Sequence, residues 1–290
     1  MTEHPFLVAG QNAIVSWAST ATGVSAVLLT GSRGRPDDSA DAYSDLDLLI
    51  LVTRPPADYV EAIAGIETAV LVSRQPYGSD EYDLAIVGAD FARLDVTLLR
   101  TASTATSVRE AVAPVVAAKH LWRGYRVLVD RMPQADHSLP PRPAFDPPDG
   151  AALTALAGQF WVQALRAAVF IVRQDLWRAE TLLVCRLRPI WLRLAEWDAR
   201  LAEEGATDIW YDGRHIETWA QGPARDALGR LFAAYDQRAL GEALSAMGTS
   251  FAQLLERVAQ RRHLDTASDG GVRQHLETLL GRLSESGDQR

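Results

Sequence analysis

Two aspartates in alternate positions, Asp45 and Asp47, stand at the start of the apolar run Leu46 to Val52, and a third, Asp95, interrupts the run Arg93 to Leu99. In an extended strand residues i and i+2 point to the same face, so Asp45 and Asp47 project side by side while Leu46 and Leu48 turn into a core. Two carboxylates on one face repel each other unless a cation sits between them. Magnesium suits that place, because it prefers hard oxygen ligands and commonly takes one or two carboxylates together with substrate phosphates. If the strand of Asp95 pairs beside that of Asp45 and Asp47, three carboxylates converge. The third can then share a metal and take the proton from an attacking hydroxyl.

A phosphate-binding element is expected just upstream. The apolar run Ser25 to Thr30 ends at Gly31-Ser32, followed by Arg33-Gly34-Arg35 and the polar segment Asp41-Ala42-Tyr43-Ser44. Glycine lets backbone N–H groups approach an anion closely, and a serine hydroxyl can donate to a phosphate oxygen. Each piece alone has a plainer reading: a turn, a solvated strand rim, an exposed residue of an edge strand. Together, and in this order, they are more specific, because independent turns and rims rarely line up strand by strand.

These residues need a framework, and the chain offers one in its first half. Ala9 to Ser19 is expected to be a short helix. Strands are expected over Ser25–Thr30, Leu46–Val52, Tyr82–Val87, Arg93–Leu99 and Tyr125–Asp130. Helical spacing covers Val60 to Val70 and, despite Pro114, Ser107 to Trp122. Strands mixed with helices imply an α/β domain with a mixed sheet. Five prolines between Leu139 and Gly150 rule out a regular helix or central strand and read as a stiff linker. Beyond it the strand signals stop. Leu153, Leu156, Phe160, Ala164, Ala168 and Ile171 recur at helical spacing, as do Leu240, Leu244, Met247, Phe251, Leu255 and Val258. Leu182 to Trp197 continues the pattern with a kink expected at Pro189, and the polar residues from Asp265 onward are expected to fray. The expected organisation is thus a catalytic α/β domain over residues 1–138, a proline-rich linker over 139–150 and an all-α helical bundle over 151–290.

Composition narrows the partners. The 290 residues carry a net charge of −8, and both halves are acidic: 12 basic against 17 acidic side chains up to residue 145, and 17 against 20 after it. A groove for a nucleic-acid backbone shows as a basic stripe. None is visible, so no polynucleotide partner is expected, whereas an acidic surface suits a small cationic substrate. The single cysteine, Cys185, lies among leucines and valine and is expected to be buried. The N-terminal residues do not look like a signal peptide, and no stretch is expected to approach the ~20 apolar residues of a membrane helix. A cytoplasmic protein, monomer or homodimer, is the expectation.

Gly31-Ser32, a spacer and Asp45-Leu46-Asp47 resemble the signature of the nucleotidyltransferase superfamily that includes DNA polymerase beta. Taken with Leu94-Asp95-Val96-Thr97-Leu98-Leu99 and Val127-Leu128-Val129-Asp130, the match resembles the aminoglycoside 6-adenylyltransferases, the streptomycin-modifying enzymes. Phe160-Trp161, Leu176-Trp177-Arg178-Ala179-Glu180 and Gly213-Arg214-His215-Ile216-Glu217 fall where that family has similar motifs. The resemblance implies that Ser32 and Arg33, with Gly31, hold the triphosphate of ATP, that Asp45 and Asp47 bind magnesium, and that Asp95 activates the acceptor hydroxyl. AMP would pass to an aminoglycoside held between that site and the helical domain, and pyrophosphate would leave. Such chemistry asks little of the protein beyond positioning and charge neutralisation. Where the family tends to have a lysine before Leu-Trp-Arg, this chain has Arg173-Gln174-Asp175, so a phosphate contact either moves to Arg173 or is lost. Of the tryptophans, Trp161 is the candidate to stack on adenine or a sugar face, most of the others being core. The acidic groups Asp80, Glu81 and Asp83, and Glu203, Glu204, Asp208 and Asp212, could receive a polycation or could form solvated loops. Two other readings stand beside this one: the same chemistry on a different acceptor, such as another small antibiotic or a protein side chain, and a nucleotide-binding protein without catalysis.

Overall fold

The alternation that places the aspartates also builds a sheet. The computed structural model describes residues 4–37, 39–65, 69–115, 119–209, 211–265 and 271–287. The chain divides into two compact units, Met1–Pro143 and Ala144–Arg290, and the division falls inside the proline-rich segment, which carries neither helix nor strand.

The first unit contains β1 (Val24–Leu29), β2 (Leu46–Val52), β3 (Leu71–Tyr77), β4 (Glu81–Val87), β5 (Arg93–Arg100) and β6 (Arg126–Asp130) in one sheet of order β3-β4-β5-β2-β1-β6. Only the β2–β5 pair is parallel; the others described are antiparallel, so the sheet is mixed, as expected. Strand β3 was not anticipated. Its residues are nearly all exposed and it pairs only with β4, so it carries no core-facing alternation by which it could be read.

Even positions of β2 and β5, such as Leu48, Ile50, Leu94 and Val96, enter a core with Leu7, Ile14 and Ala18 of helix α1 (Pro5–Thr20). The opposite face carries Leu49, Leu51 and Leu99, covered by Val108 and Val112 of α4 (Val108–Val112) and by Tyr125. Asp47 and Asp95 continue that second face toward its polar end. Two other helices are short. Gly31–Gly34 forms a single turn, α2, and Val60–Ala64 forms α3, the expected extension to Val70 passing through residues 66–68, which lie outside those described. The helix expected over Ser107–Trp122 is likewise broken: α4 ends where a 3-10 turn, Ala113–Val115, takes in Pro114, and residues 116–118 are outside those described.

The second unit is helical, with α5 (Gly150–Val172), α6 (Leu176–Leu182), α7 (Arg188–Ala202), α8 (Ile216–Trp219), α9 (Pro223–Ala227), α10 (Gln237–Arg262) and α11 (Val272–Gly287). Asp149 and Asp236 cap α5 and α10 by accepting from the N–H groups of Ala152 and Ala239. The core joins Leu156, Phe160, Ala164 and Ile171 of α5 to Leu244, Met247, Phe251 and Val258 of α10. One buried charge crosses it: Asp198 of α7, 1% exposed, meets Arg257 at 3.1 Å and Arg261 at 2.6 Å on α10.

Three expectations about this half need correction. The tail does not simply fray, since α11 brings Leu276 into the core. Near Pro189, where a kink is expected, a π-helical turn, Leu183–Leu187, precedes α7. Proline lacks an N–H and crowds the carbonyl four residues back, and a widened turn absorbs both. Cys185 is exposed, because that turn points Leu183 and Leu187 inward and leaves the residue midway between them facing out. Finally, α5 is long and apolar enough, by length and composition, to cross a bilayer. Its inward stripe is the one that packs on α10, the same pattern that a core helix presents.

Candidate active site

The site begins with strand register. In the parallel pair Asp47 lies directly across from Asp95, and strands so paired are about 4.8 Å apart. Asp45 precedes β2 and curls toward the same end. As a result Asp45, Asp47 and Asp95 each offer a carboxylate oxygen within 4.8 Å of the others. The pairing that the sequence left conditional is therefore present, and the three aspartates form one cluster.

Gly31 is fitted to this cluster. Its φ is +61°, and a Cβ built on it would lie 1.8 Å from Asp47 Oδ2. No L side chain is accommodated there without moving the carboxylate. Gly34 is equally confined, its Cβ position lying 2.2 Å from the carbonyl oxygen of Leu29. The Thr30 N–H donates to the Asp47 carbonyl at 2.9 Å, which fastens the end of β1 to the start of β2. The glycines thus let a tight turn lie against the aspartates. Ser32, half-buried, sits in that turn.

Arg33, expected at a triphosphate, has hydrogen-bond partners within the chain. Its Nε donates to the carbonyl of Asp45 at 3.0 Å and its Nη2 to that of Ser44 at 3.0 Å. Two of its three guanidinium nitrogens thus hold the backbone that presents Asp45. The loop before it is self-organised: the Ser44 hydroxyl and the Tyr43 N–H donate to Asp41 Oδ1, both at 2.9 Å. These bonds hold the Asp41 carboxyl below its usual range. Asp41 and Ser44 are a turn.

The electrostatics follow from crowding. Burial pushes Asp47 up to about 7, and the neighbouring charges of Asp45 and Asp95 push the same way. Asp95 is also raised, by burial first and by Asp45, against the opposing pull of Arg93. Arg93 is the residue that sequence reasoning passed over. Its Nε donates to Asp95 Oδ2 at 2.9 Å and its Nη2 donates to Asp45 Oδ2, so one guanidinium bridges two of the three carboxylates. Its signal in the sequence was a cation two residues before Asp95, on the same strand face. Three clustered oxygens, partly desolvated and already drawing a cation, are a donor set that fits a hard divalent ion.

The acidic residues of the neighbouring hairpin differ in their partners. Asp80 faces Arg100 at 3.5 Å and Glu81 faces Lys119 at 2.5 Å. Asp83 accepts from the neutral hydroxyl of Thr97 at 2.7 Å and lies close enough to help raise Asp95. Asp130 forms a corner, accepting from the Met132 N–H at 2.9 Å and meeting His137 Nε2 at 2.6 Å.

In the helical unit Trp161 does not offer a stacking face. It is 4% exposed, edge-on to Phe160 and Phe251 with ring centroids 5.1 and 5.8 Å away, so protein already fills the space an adenine would need. Its indole N–H is buried without a hydrogen-bond partner among the described residues. Arg173 is exposed just past the end of α5. The motif Leu176–Glu180 divides its tasks: Trp177 is exposed, Arg178 stacks on Phe170 at 4.2 Å and Glu180 pairs with Arg188 at 3.8 Å.

Comparison with known proteins adds a family. A family model described as streptomycin adenylyltransferase matches residues 10–279. None of the curated proteins compared with the chain matches it. Among solved structures, an aminoglycoside 6-adenyltransferase from Bacillus subtilis is similar at a TM-score of 0.45 and 15% identity, over 93% of this chain and 96% of that one. The nucleotidyltransferase toxin MenT4 from Mycobacterium tuberculosis H37Rv is similar at a TM-score of 0.21 and 11% identity, over 97% of this chain and 95% of that one.

Proposed function

Since the chain belongs to the streptomycin adenylyltransferase family and is a nucleotidyltransferase, we propose that it transfers AMP from ATP to a hydroxyl of a cationic, streptomycin-like aminoglycoside, using magnesium held by Asp45, Asp47 and Asp95. The observation that carries this reading is the convergence of those three carboxylates across the parallel β2–β5 pair.

When bound, magnesium supplies the positive charge that offsets the triphosphate and the leaving pyrophosphate. The rest belongs to the chain. Asp95, made more basic by burial, takes the proton of the acceptor hydroxyl. That oxygen forms a bond to the α-phosphorus, the bond from the α-phosphorus to the bridging oxygen breaks, and its electron pair leaves with pyrophosphate. Gly31 and Ser32 line the turn beside the phosphates, while Arg33 keeps Asp45 in place through the Ser44 and Asp45 carbonyls. Asp83, whose partner Thr97 is uncharged, supports the choice of a cationic acceptor.

The test is to incubate the protein with MgATP and a panel of aminoglycosides, following pyrophosphate release and product mass. One product heavier by an AMP group is expected. Absence of product from every aminoglycoside would defeat the substrate assignment and leave the nucleotidyltransferase assignment standing.

A further inference from the structure

We infer that Arg93 is an internal counter-ion of the aspartate cluster, which a divalent cation must displace from Asp45 and Asp95 before it can use them. The inference rests on the metal reading above and extends it to a residue outside the ligand set.

The starting point is chemical. Three carboxylates within 4.8 Å of one another are unstable as neighbours unless positive charge offsets them. The chain supplies that charge itself. Arg93 stands two residues before Asp95 on β5, so both side chains leave the same face of the strand. Its guanidinium reaches across the parallel pair and joins Asp45 to Asp95, using Oδ2 of each. An arginine cannot shed its charge by losing a proton. A dication drawn to the same oxygens therefore meets a fixed positive charge, and the two repel at short range. The guanidinium has somewhere to go, because its side chain is 51% exposed and it belongs to neither core of the sheet. In the metal-free protein it holds the carboxylates together in the arrangement a metal needs, and on loading it swings toward solvent.

Competition of this kind lowers apparent affinity by the fraction of molecules in which the site is open. The experiment measures Mn2+ alone binding to the nucleotide-free full chain, by the paramagnetic resonance of free Mn2+. Arg93→Met keeps the length of the side chain and removes its charge. It is expected to bind Mn2+ about threefold to tenfold more tightly than wild type, with Arg93→Lys in between, since an ammonium cannot fork across two carboxylates. In a crystal structure of the Mn2+-loaded wild type the guanidinium is expected to lie away from both aspartates. Unchanged or weaker binding by Arg93→Met overturns the inference, as does a loaded structure in which Arg93 still bridges Asp45 and Asp95. Should Arg93→Met fail to fold, the lysine variant and the loaded structure decide. Asp47→Asn separates the two levels of the argument. If it binds Mn2+ as well as wild type, the metal site and the counter-ion role fall together. If it loses Mn2+ while Arg93→Met gains none, only the counter-ion role falls.

Discussion

At the residue scale the site depends on Asp47, because it is both the most crowded carboxylate and the one that Gly31 is shaped around. Gly31→Ala would place a methyl group where Asp47 Oδ2 now lies, at a backbone angle that disfavours any side chain. Stability is expected to fall by about 1–3 kcal/mol. Transfer activity should fall by about a hundredfold or more, the cost of misplacing a catalytic group by an ångström. Urea denaturation and kcat/KM measure the two effects, and a variant with normal turnover would show that Asp47 tolerates the displacement. The same residue sets a pH dependence. Its pKa of about 7 lies above that of an exposed carboxyl, so the metal-free folded state binds a proton more tightly than the unfolded chain. This group's contribution to stability is therefore fully present below about pH 4 and declines as pH rises toward 7. A metal needs the ionised form and must displace that proton. Mn2+ binding is accordingly expected to be about tenfold weaker at pH 6 than at pH 8, and affinity flat across that range would contradict the assignment of Asp47 as a ligand.

At the element scale, the legible parts of the fold were those with a strict period or an unbroken apolar run. Helices α5 and α10 and strands β4 and β5 bury mainly one face, which writes a period into the sequence, while β1 and β2 bury both faces and show as continuous apolar runs. Strand β3 buries little and so left no trace, and the residues around Pro114 mix two kinds of turn within a few positions. The candidate site divided the same way. Asp45 and Asp47 were readable from alternation alone, and Asp95 became part of the site only through the register that sets it opposite Asp47. Arg33 and Trp161 show a common limit of such reading. A sequence shows a cation or an aromatic ring but not whether the protein has already engaged it, here with two carbonyls and two phenylalanines. Asp198 is a second case of an interaction that sequence conceals, since its partners lie some sixty residues away on α10. With Asp198 1% exposed between Arg257 and Arg261, Asp198→Ala leaves two cations facing an apolar helix seam. A loss of about 2–4 kcal/mol is expected in urea denaturation followed by tryptophan fluorescence, discounted because both arginines reach water. A change under about 0.5 kcal/mol would mean that the clamp is only a surface pair.

At the scale of the whole molecule, the net charge of −8 and the acidic balance of both halves act on whatever approaches. A surface of one sign raises the local concentration of oppositely charged ligands and repels those of like sign. On the proposed function, ATP is an anion that would bind against a general repulsion, offset by the metal and by Arg93 near the aspartates, whereas a polycationic acceptor would be drawn in. The two proposed substrates should then respond oppositely to salt, because screening weakens attraction and repulsion alike beyond a Debye length of ~8–10 Å at moderate ionic strength. Raising sodium chloride from about 50 to about 300 mM is expected to increase KM for the aminoglycoside severalfold, to leave kcat nearly constant and to leave unchanged or lower KM for MgATP. Steady-state kinetics with each substrate varied in turn measures this. The contrast between the substrates carries the argument, because general salt inhibition would move both KM values upward together. If the acceptor KM stays flat while MgATP binding weakens, the acidic surface serves solubility alone and the acceptor is recognised by something other than its charge.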